Sequence, residues 1–253
     1  MSVISIRNLH KSYGNKVVLN GIDLEVDAGQ IIGYIGPNGA GKSTTIRILA
    51  GLDQSFKGEV SVLGHDVRAD PLAVKRRIGY IPEAAEIYEV LTPTEFYELV
   101  GGLQDLPWET TLKRARRLEK YLQLSYTDDQ RIDSFSKGMK QKVLLISGLL
   151  HDPELIFLDE PLAGLDANSV IRVKDLLQQL AGRGKTIFYS SHIMEVVEKI
   201  SDRIVLLNDG RVAANGTFVE INAQARSGDL ESLFSQLTGA GSVVPDFDFT
   251  ADE

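Results

Sequence analysis

Apolar and polar positions alternate at period two near the start of the chain, first at Ile4 and Ile6, then at Ile22, Leu24 and Val26. This pattern predicts antiparallel strands over residues 1–30, turning at Tyr13-Gly14-Asn15. Ile31-Ile32-Gly33-Tyr34-Ile35 is apolar without alternation and reads as a buried strand. Residues 45–50 then read as a helix ended by Gly51. Residues 58–64 give another alternating strand, and Ile78-Gly79-Tyr80-Ile81 a buried one halted by Pro82. From about residue 84 the pattern turns helical. Thr92-Pro93-Thr94-Glu95 spells a capping box with proline at the first helical position. Leu112, Ala115, Leu118 and Leu122 mark one face of a second helix, and a third opens behind Ser136 and runs to Asp152-Pro153. Residues 155–158 form a buried strand and residues 170–181 an amphipathic helix closed by Gly182. Residues 186–189 are a strand, and Ile193, Val196, Val197 and Ile200 mark a helix. Residues 203–207 and 212–214 pair as a hairpin through Asn208-Asp209-Gly210. Leu230, Leu233, Phe234 and Leu237 predict a last short helix behind Asp229. Beyond Gly241 the tail is acidic, interrupted by proline and expected to be disordered.

Composition narrows the class. The chain has 253 residues, 43% hydrophobic and 25% charged, as in a globular protein with a sizeable core. No apolar run approaches the roughly 18 residues of a membrane span, and the start lacks the basic and long apolar regions of a signal peptide. With no cysteine, disulfide and thiol chemistry are excluded, and a cytosolic location fits. A net charge of −8 argues against a protein whose main task is to hold nucleic-acid backbone. The basic cluster Arg114, Arg116, Arg117 and Lys120 is open to two readings, a nucleic-acid patch or a solvated helix face. The four histidines show no metal-ligand spacing, and any membrane contact is expected to come through a partner.

Chemistry concentrates in Gly36-Pro37-Asn38-Gly39-Ala40-Gly41-Lys42-Ser43-Thr44, set between a buried strand and a helix. That context is the one a phosphate-binding loop needs. The glycines let successive N–H groups point at phosphate oxygens, and the helix N-terminus adds partial positive charge. Lys42 is placed to reach the β- and γ-phosphates, and Ser43 to ligate Mg²⁺. Downstream, the buried strand at 155–158 ends in Asp159-Glu160. Buried carboxylates need a partner; Mg²⁺ supplies one for Asp159, and Glu160 is placed to accept a proton from attacking water. His192 follows another strand at the same sheet edge, where an ordinary capping role gives way to a place in the site. Tyr13 reads either as a core or turn aromatic or as a base-stacking residue.

The ordered set resembles the ATP-binding cassette family over residues 1–220. Tyr13 falls where that family stacks an aromatic on adenine, residues 36–44 are similar to its Walker A loop, and Glu83 stands where its Q-loop usually has glutamine. Phe135-Ser136-Lys137-Gly138-Met139 resembles the signature Leu-Ser-Gly-Gly-Gln, with Ser136 and Gly138 kept and Lys137 and Met139 departing. Residues 155–160 match Walker B with its catalytic glutamate, Ala163-Gly164-Leu165-Asp166 the D-loop, and His192 the switch histidine. The wording Gly79-Tyr80-Ile81-Pro82-Glu83 and Ser136-Lys137-Gly138-Met139-Lys140-Gln141 is similar to cassettes that serve export-type permeases.

The resemblance implies an α/β fold: a P-loop (RecA-like) nucleoside triphosphate hydrolase core with an N-terminal antiparallel β subdomain and a helical insert near 84–152. A short helical extension would occupy 221–240 and the acidic tail 241–253. It also implies an ATPase using ATP and Mg²⁺, with Lys42, Glu160 and His192 catalytic and Ser43, Asp159 and Glu83 near the metal. Ser136, Lys137, Gly138 and Met139 would contact ATP held by a second ATP-binding subunit. An integral membrane permease would be the other partner, placing the chain peripherally on the inner face of the membrane, with no direct nucleic acid. Two readings stand against this one: a regulatory nucleotide-binding module that does not turn over, which the intact Lys42, Asp159, Glu160 and His192 count against, and a soluble cassette ATPase acting on a macromolecular assembly. Absence of a second P-loop and of long coiled coils counts against the second.

Overall fold

The computed structural model describes residues 2–83, 87–192, 194–225 and 234. Strands β1 (Ser2–Tyr13) and β2 (Lys16–Asp27) pair antiparallel about the tight turn at Gly14-Asn15. Their alternation puts Ile4, Ile6, Ile22, Leu24 and Val26 inward, all buried. The chain then runs through β3 (Ile31–Ile35), α1 (Lys42–Leu49), β4 (Lys57–Val62), β5 (His65–Asp66), α2 (Pro71–Arg77) and β6 (Ile78–Ile81). Three helices follow: α3 (Pro93–Leu103), α4 (Trp108–Leu122) and α5 (Lys137–Leu149). The remainder alternates β7 (Leu155–Asp159), α6 (Ala167–Ala181), β8 (Thr186–Ser190), α7 (Met194–Ile200), β9 (Arg203–Asn208), β10 (Arg211–Gly216) and α8 (Phe218–Ala225).

Two sheets result, with strand orders β2-β1-β4-β5 and β10-β9-β3-β8-β7-β6. The first is antiparallel. In the second, β9, β3, β8, β7 and β6 run parallel and β10 turns back on β9. The parallel strands are covered on both faces, which is why β3, β7 and β8 read as unbroken apolar runs. Alternate residues serve different cores. Tyr34, Phe157 and Phe188 pack with α1 and the antiparallel sheet, whereas Ile35, Leu158 and Tyr189 pack with α5, α6 and α7. Phe188 contacts Tyr34 at 4.9 Å and Phe157 at 5.9 Å between ring centroids, a tilted and an edge-on pair.

Several elements differ from their sequence expectation. Helix α1 begins at Lys42 rather than Thr45, so the last loop residues are its first turn. Helix α2 was not expected; Asp70 caps it by accepting the Ala73 N–H. Helix α6 starts at Ala167, three residues early, because Asp166 caps it. Helix α8 overlaps the helical extension expected at 221–240 but starts earlier, at Phe218, because Thr217-Phe218-Val219-Glu220 is a capping box: the Thr217 N–H meets the Glu220 carboxylate at 2.8 Å, and the Glu220 N–H meets Thr217 Oγ1 at 3.2 Å. The helix expected at 230–237 lies outside the described residues except for Phe234, which packs on the larger core. The acidic tail lies outside them as well. Two of the basic residues of α4 are tied down locally: Arg114 donates to the Leu150 carbonyl, and Arg116 pairs with Glu119 and Asp128.

Candidate active site

Strand β3 feeds the glycine loop straight into α1. Gly41 sits at φ 108°, and a Cβ there would lie 2.5 Å from Leu19 Cδ2, so only glycine serves. No side chain caps α1. Its first-turn N–H groups and the positive end of its dipole are therefore left to whatever anion enters the loop. Lys42 curls over its own loop, with Nζ donating to the Gly36 carbonyl at 2.7 Å and to that of Pro37 at 3.3 Å. Burial pushes its ammonium pKa down, opposed by the charges of Glu160, Asp159 and Glu83.

The loop forms the floor of a cleft of about 590 Å³. Asn38, Gly39, Gly41, Lys42, Ser43 and Thr44 line it from below, and Tyr13, Lys16 and Val18 line it from the antiparallel sheet. Glu83, Glu160 and His192 line the remaining wall. Gly36, Pro37 and Ala40 complete the loop without facing the cleft. Tyr13 is half-exposed, not a core aromatic, and Glu83 is exposed.

Strands β7 and β8 end level with each other, Asp159 opposite Ser190. Buried Asp159 accepts the Ser190 hydroxyl at 2.5 Å. The Glu160 N–H reaches the Ser190 carbonyl and hydroxyl at 3.3 and 3.2 Å. Glu160 itself takes φ 48°, a left-handed conformation uncommon outside glycine that turns its side chain off the strand line. Its Oε2 accepts from His192 Nδ1 at 2.8 Å and from the His192 N–H at 3.4 Å. A carboxylate oxygen here can only accept, so Nδ1 carries the proton of this bond. The nearly buried carboxylate is thus held by an exposed imidazole at the cleft mouth.

Ser136, Lys137, Gly138, Met139 and Asp166 do not line this cleft. Ser136 caps α5 by accepting the Met139 N–H at 3.2 Å. A Cβ on Gly138 would fall 2.9 Å from the Gly164 carbonyl, so α5 packs backbone to backbone on the loop before α6. In that loop Asp166 accepts the Ser169 hydroxyl at 2.6 Å and its N–H at 3.0 Å, which hold the carboxyl below the usual range. The five residues therefore make one patch separate from the cleft. Sequence reading overlooked Lys16, Val18 and Ser190. Lys16 was discoverable as the partner of Tyr13 across the hairpin, and Ser190 as the strand-end neighbour of Asp159.

Residues 19–163 match the family model described as ABC transporter. A daunorubicin/doxorubicin resistance ATP-binding protein of Streptomyces peucetius is 37% identical, over 88% of this chain and 68% of that one. The chain belongs to the ABC transporter family, as an ATP-binding subunit. Among solved structures, an ATP-binding subunit of an ABC transporter superposes with a TM-score of 0.87 at 33% identity, over 93% of this chain and 99% of that one. A second cassette, a dimer in a post-hydrolysis state bound to ADP and phosphate, gives 0.78 at 26% identity, over 85% and 98%. This cassette is accordingly an ATPase. Among its described residues no helix is long and apolar enough to cross a membrane.

Proposed function

We propose that this cassette is one of two ATPase subunits that close on each other over ATP and drive a separate integral membrane permease, in the export direction. The observation that carries the reading is the division of the functional residues. Lys42, Glu160 and His192 face one cleft, while Ser136, Lys137, Gly138, Met139 and Asp166 form a patch that does not reach it. A second copy would bring that patch to the open side of the cleft. The dimeric cassette with ADP and phosphate supports this arrangement, and the resistance protein of Streptomyces supports export. The chain would then sit on the cytoplasmic face of the membrane, held there by the permease.

Within the cleft, Tyr13 stacks on the base and the α1 N-terminus takes the phosphates. Lys42 exchanges the carbonyls of Gly36 and Pro37 for the β- and γ-phosphate oxygens. Ser43, which lines the cleft, would offer a hydroxyl, and Asp159, which ends β7 beside Glu160 without itself lining the cleft, would offer a carboxylate, the hard oxygen donors Mg²⁺ prefers. Among the described residues no group of three or more His, Cys, Asp or Glu could hold a metal. Bound there, Mg²⁺ would neutralise charge on the phosphates. Glu160 accepts the proton of the attacking water as the bond from the γ-phosphorus to the β,γ-bridging oxygen breaks. His192 keeps the carboxylate aimed. Glu83, at the cleft mouth just before the helical insert, connects the site to the surface that meets the permease.

Glu160→Gln tests the proposal, because it keeps the shape and removes the proton acceptor. ATP should bind, persist and hold two subunits together, giving a dimer in light scattering that ADP does not support. A variant that stays monomeric at high concentration with ATP and the permease present would overturn the two-subunit reading.

A further inference from the structure

Tyr13 is held from outside the cleft by two charged residues that do not line it. Lys11 and Tyr13 are two apart on β1 and share a face. Although charged, Lys11 is 4% exposed. Its Nζ donates to Asp53 Oδ1 at 2.8 Å and to the Ser55 carbonyl at 2.6 Å, and lies 4.6 Å from the centroid of the Tyr13 ring. The Tyr13 hydroxyl donates to the other oxygen of the same carboxylate, Asp53 Oδ2, at 2.9 Å. The Ser55 N–H adds a third donor to Asp53 at 3.0 Å. Asp53 is in turn fixed to the C-terminal end of α1, where its N–H meets the Arg47 carbonyl at 3.2 Å. One eight-residue helix therefore carries the phosphate loop at one end and the anchor of the aromatic ring at the other.

A half-exposed tyrosine at a strand end would otherwise sample several rotamers, and ordering it on binding would weaken a ligand. Here the hydroxyl is bonded and one face of the ring is covered by a cation. Both side-chain torsions are thereby set, and the ring stands at a fixed place relative to the α1 N-terminus. We infer that Lys11 and Asp53 are positioning residues that pre-set Tyr13 for the nucleobase, and so make recognition of the base stronger without touching the phosphates. The inference rests on the reading of Tyr13 as the base-stacking residue.

The test compares Mg-ATP with Mg-tripolyphosphate, which carries the phosphates and no base. Dissociation constants for both, and KM and kcat for ATP, are measured on Lys11→Met, Asp53→Asn, Tyr13→Phe and Tyr13→Ala. Lys11→Met and Asp53→Asn should weaken ATP about threefold to tenfold, raise KM alike, leave kcat within about twofold, and leave tripolyphosphate unchanged. Combined with Tyr13→Ala, neither should weaken ATP further. Tyr13→Phe, which loses only an exposed hydroxyl and keeps the fold, should show a smaller loss in the same direction. If tripolyphosphate weakens as much as ATP, the pair merely braces α1 and the inference is overturned. If Tyr13→Ala weakens ATP while Lys11→Met, Asp53→Asn and Tyr13→Phe do not, the inference fails and the stacking reading stands. If Tyr13→Ala has no effect, both fail.

Discussion

Helices α1 and α5 both present an N-terminus to solvent next to a glycine and a lysine, yet they are finished in opposite ways. Helix α1 starts from Gly41 in a left-handed conformation with no side-chain cap, and its Lys42 is buried. Helix α5 starts from Ser136, whose hydroxyl caps the first turn, and its Lys137 is exposed with its stem against Gly164. Around the first, this chain supplies a floor and two walls, including the Glu160–His192 pair. Around the second it supplies the abutting loop of Gly164 and Asp166 and, at Lys140, an ion pair from Glu89. An uncapped helix start inside a cleft leaves its N–H groups to water or to an anion that arrives. A capped one is stable as it stands and gains little until a partner brings the charge. On the function proposed above, the contrast separates a site that would bind by itself from one that would act only in company.

The largest expected effect breaks the first half of this contrast. Lys42→Ala removes the charge nearest the phosphates and should lower ATP hydrolysis by at least about a hundredfold. The fold should survive, since the hydrogen bonds that Lys42 makes are to its own loop carbonyls. Turnover close to wild type in a preparation freed of contaminating ATPases would show that the α1 N-terminus is not where the phosphates sit.

Ser136→Ala sharpens the second half. Loss of the cap should cost about 1 kcal/mol of stability, a small drop in the denaturation midpoint. ATP binding by the single subunit should be unchanged, because Ser136 does not line that cleft. The ATP-held dimer of a Glu160→Gln background should weaken markedly in light scattering. A dimer of undiminished affinity would mean that the α5 N-terminus does not meet the partner's nucleotide.

The same contrast explains what could be read from the sequence. The contiguous residues in and beside the cleft, from Gly36 to Thr44 and Asp159-Glu160, stand out in the sequence because phosphate and proton chemistry would ask for those types at that spacing. Buried β3, β7 and β8 were legible as apolar runs. Ser190 was not, since only the parallel register of β7 and β8 sets its hydroxyl on Asp159. The start of α1 was misplaced because Lys42, Ser43 and Thr44 are polar and look like loop until a helix dipole gives them work. Short α2 and the start of α8 rest on single caps rather than on a long apolar stripe, so periodicity could not find them. The anchoring of Tyr13 by Lys11 and Asp53 joins residues 40 or more positions apart, and no local pattern announces it.

The far ends of the two helices carry the smallest expected effect. Helix α1 is tied down through Asp53, whereas the chain just after α5 is tied down by His151, whose Nε2 meets the Ile78 carbonyl at 2.8 Å. A carbonyl can only accept, so Nε2 carries the proton, and the neutral ring leaves Nδ1 bare. That Nδ1 is buried without a hydrogen-bond partner among the described residues. Burial therefore pushes the His151 pKa below its ordinary 6.5, with the positive charges of Arg114 and Lys185 adding to the shift, while the bond to Ile78 and the charge of Asp152 oppose it. The sign follows from which state takes up the proton. Below about pH 6.5 the unfolded chain binds a proton here that the folded chain refuses, so stability is full above that pH and falls as pH drops toward the folded pKa. The slope from this one group cannot exceed about 1.4 kcal/mol per pH unit. His151→Gln keeps a donor for the Ile78 carbonyl and does not titrate. Its urea midpoint should decline less than that of wild type between neutral pH and pH values below about 6.5, with the two curves converging in slope above it. Equal declines would show that the anchor of α5 does not sense pH and that other groups set the acid sensitivity of the fold.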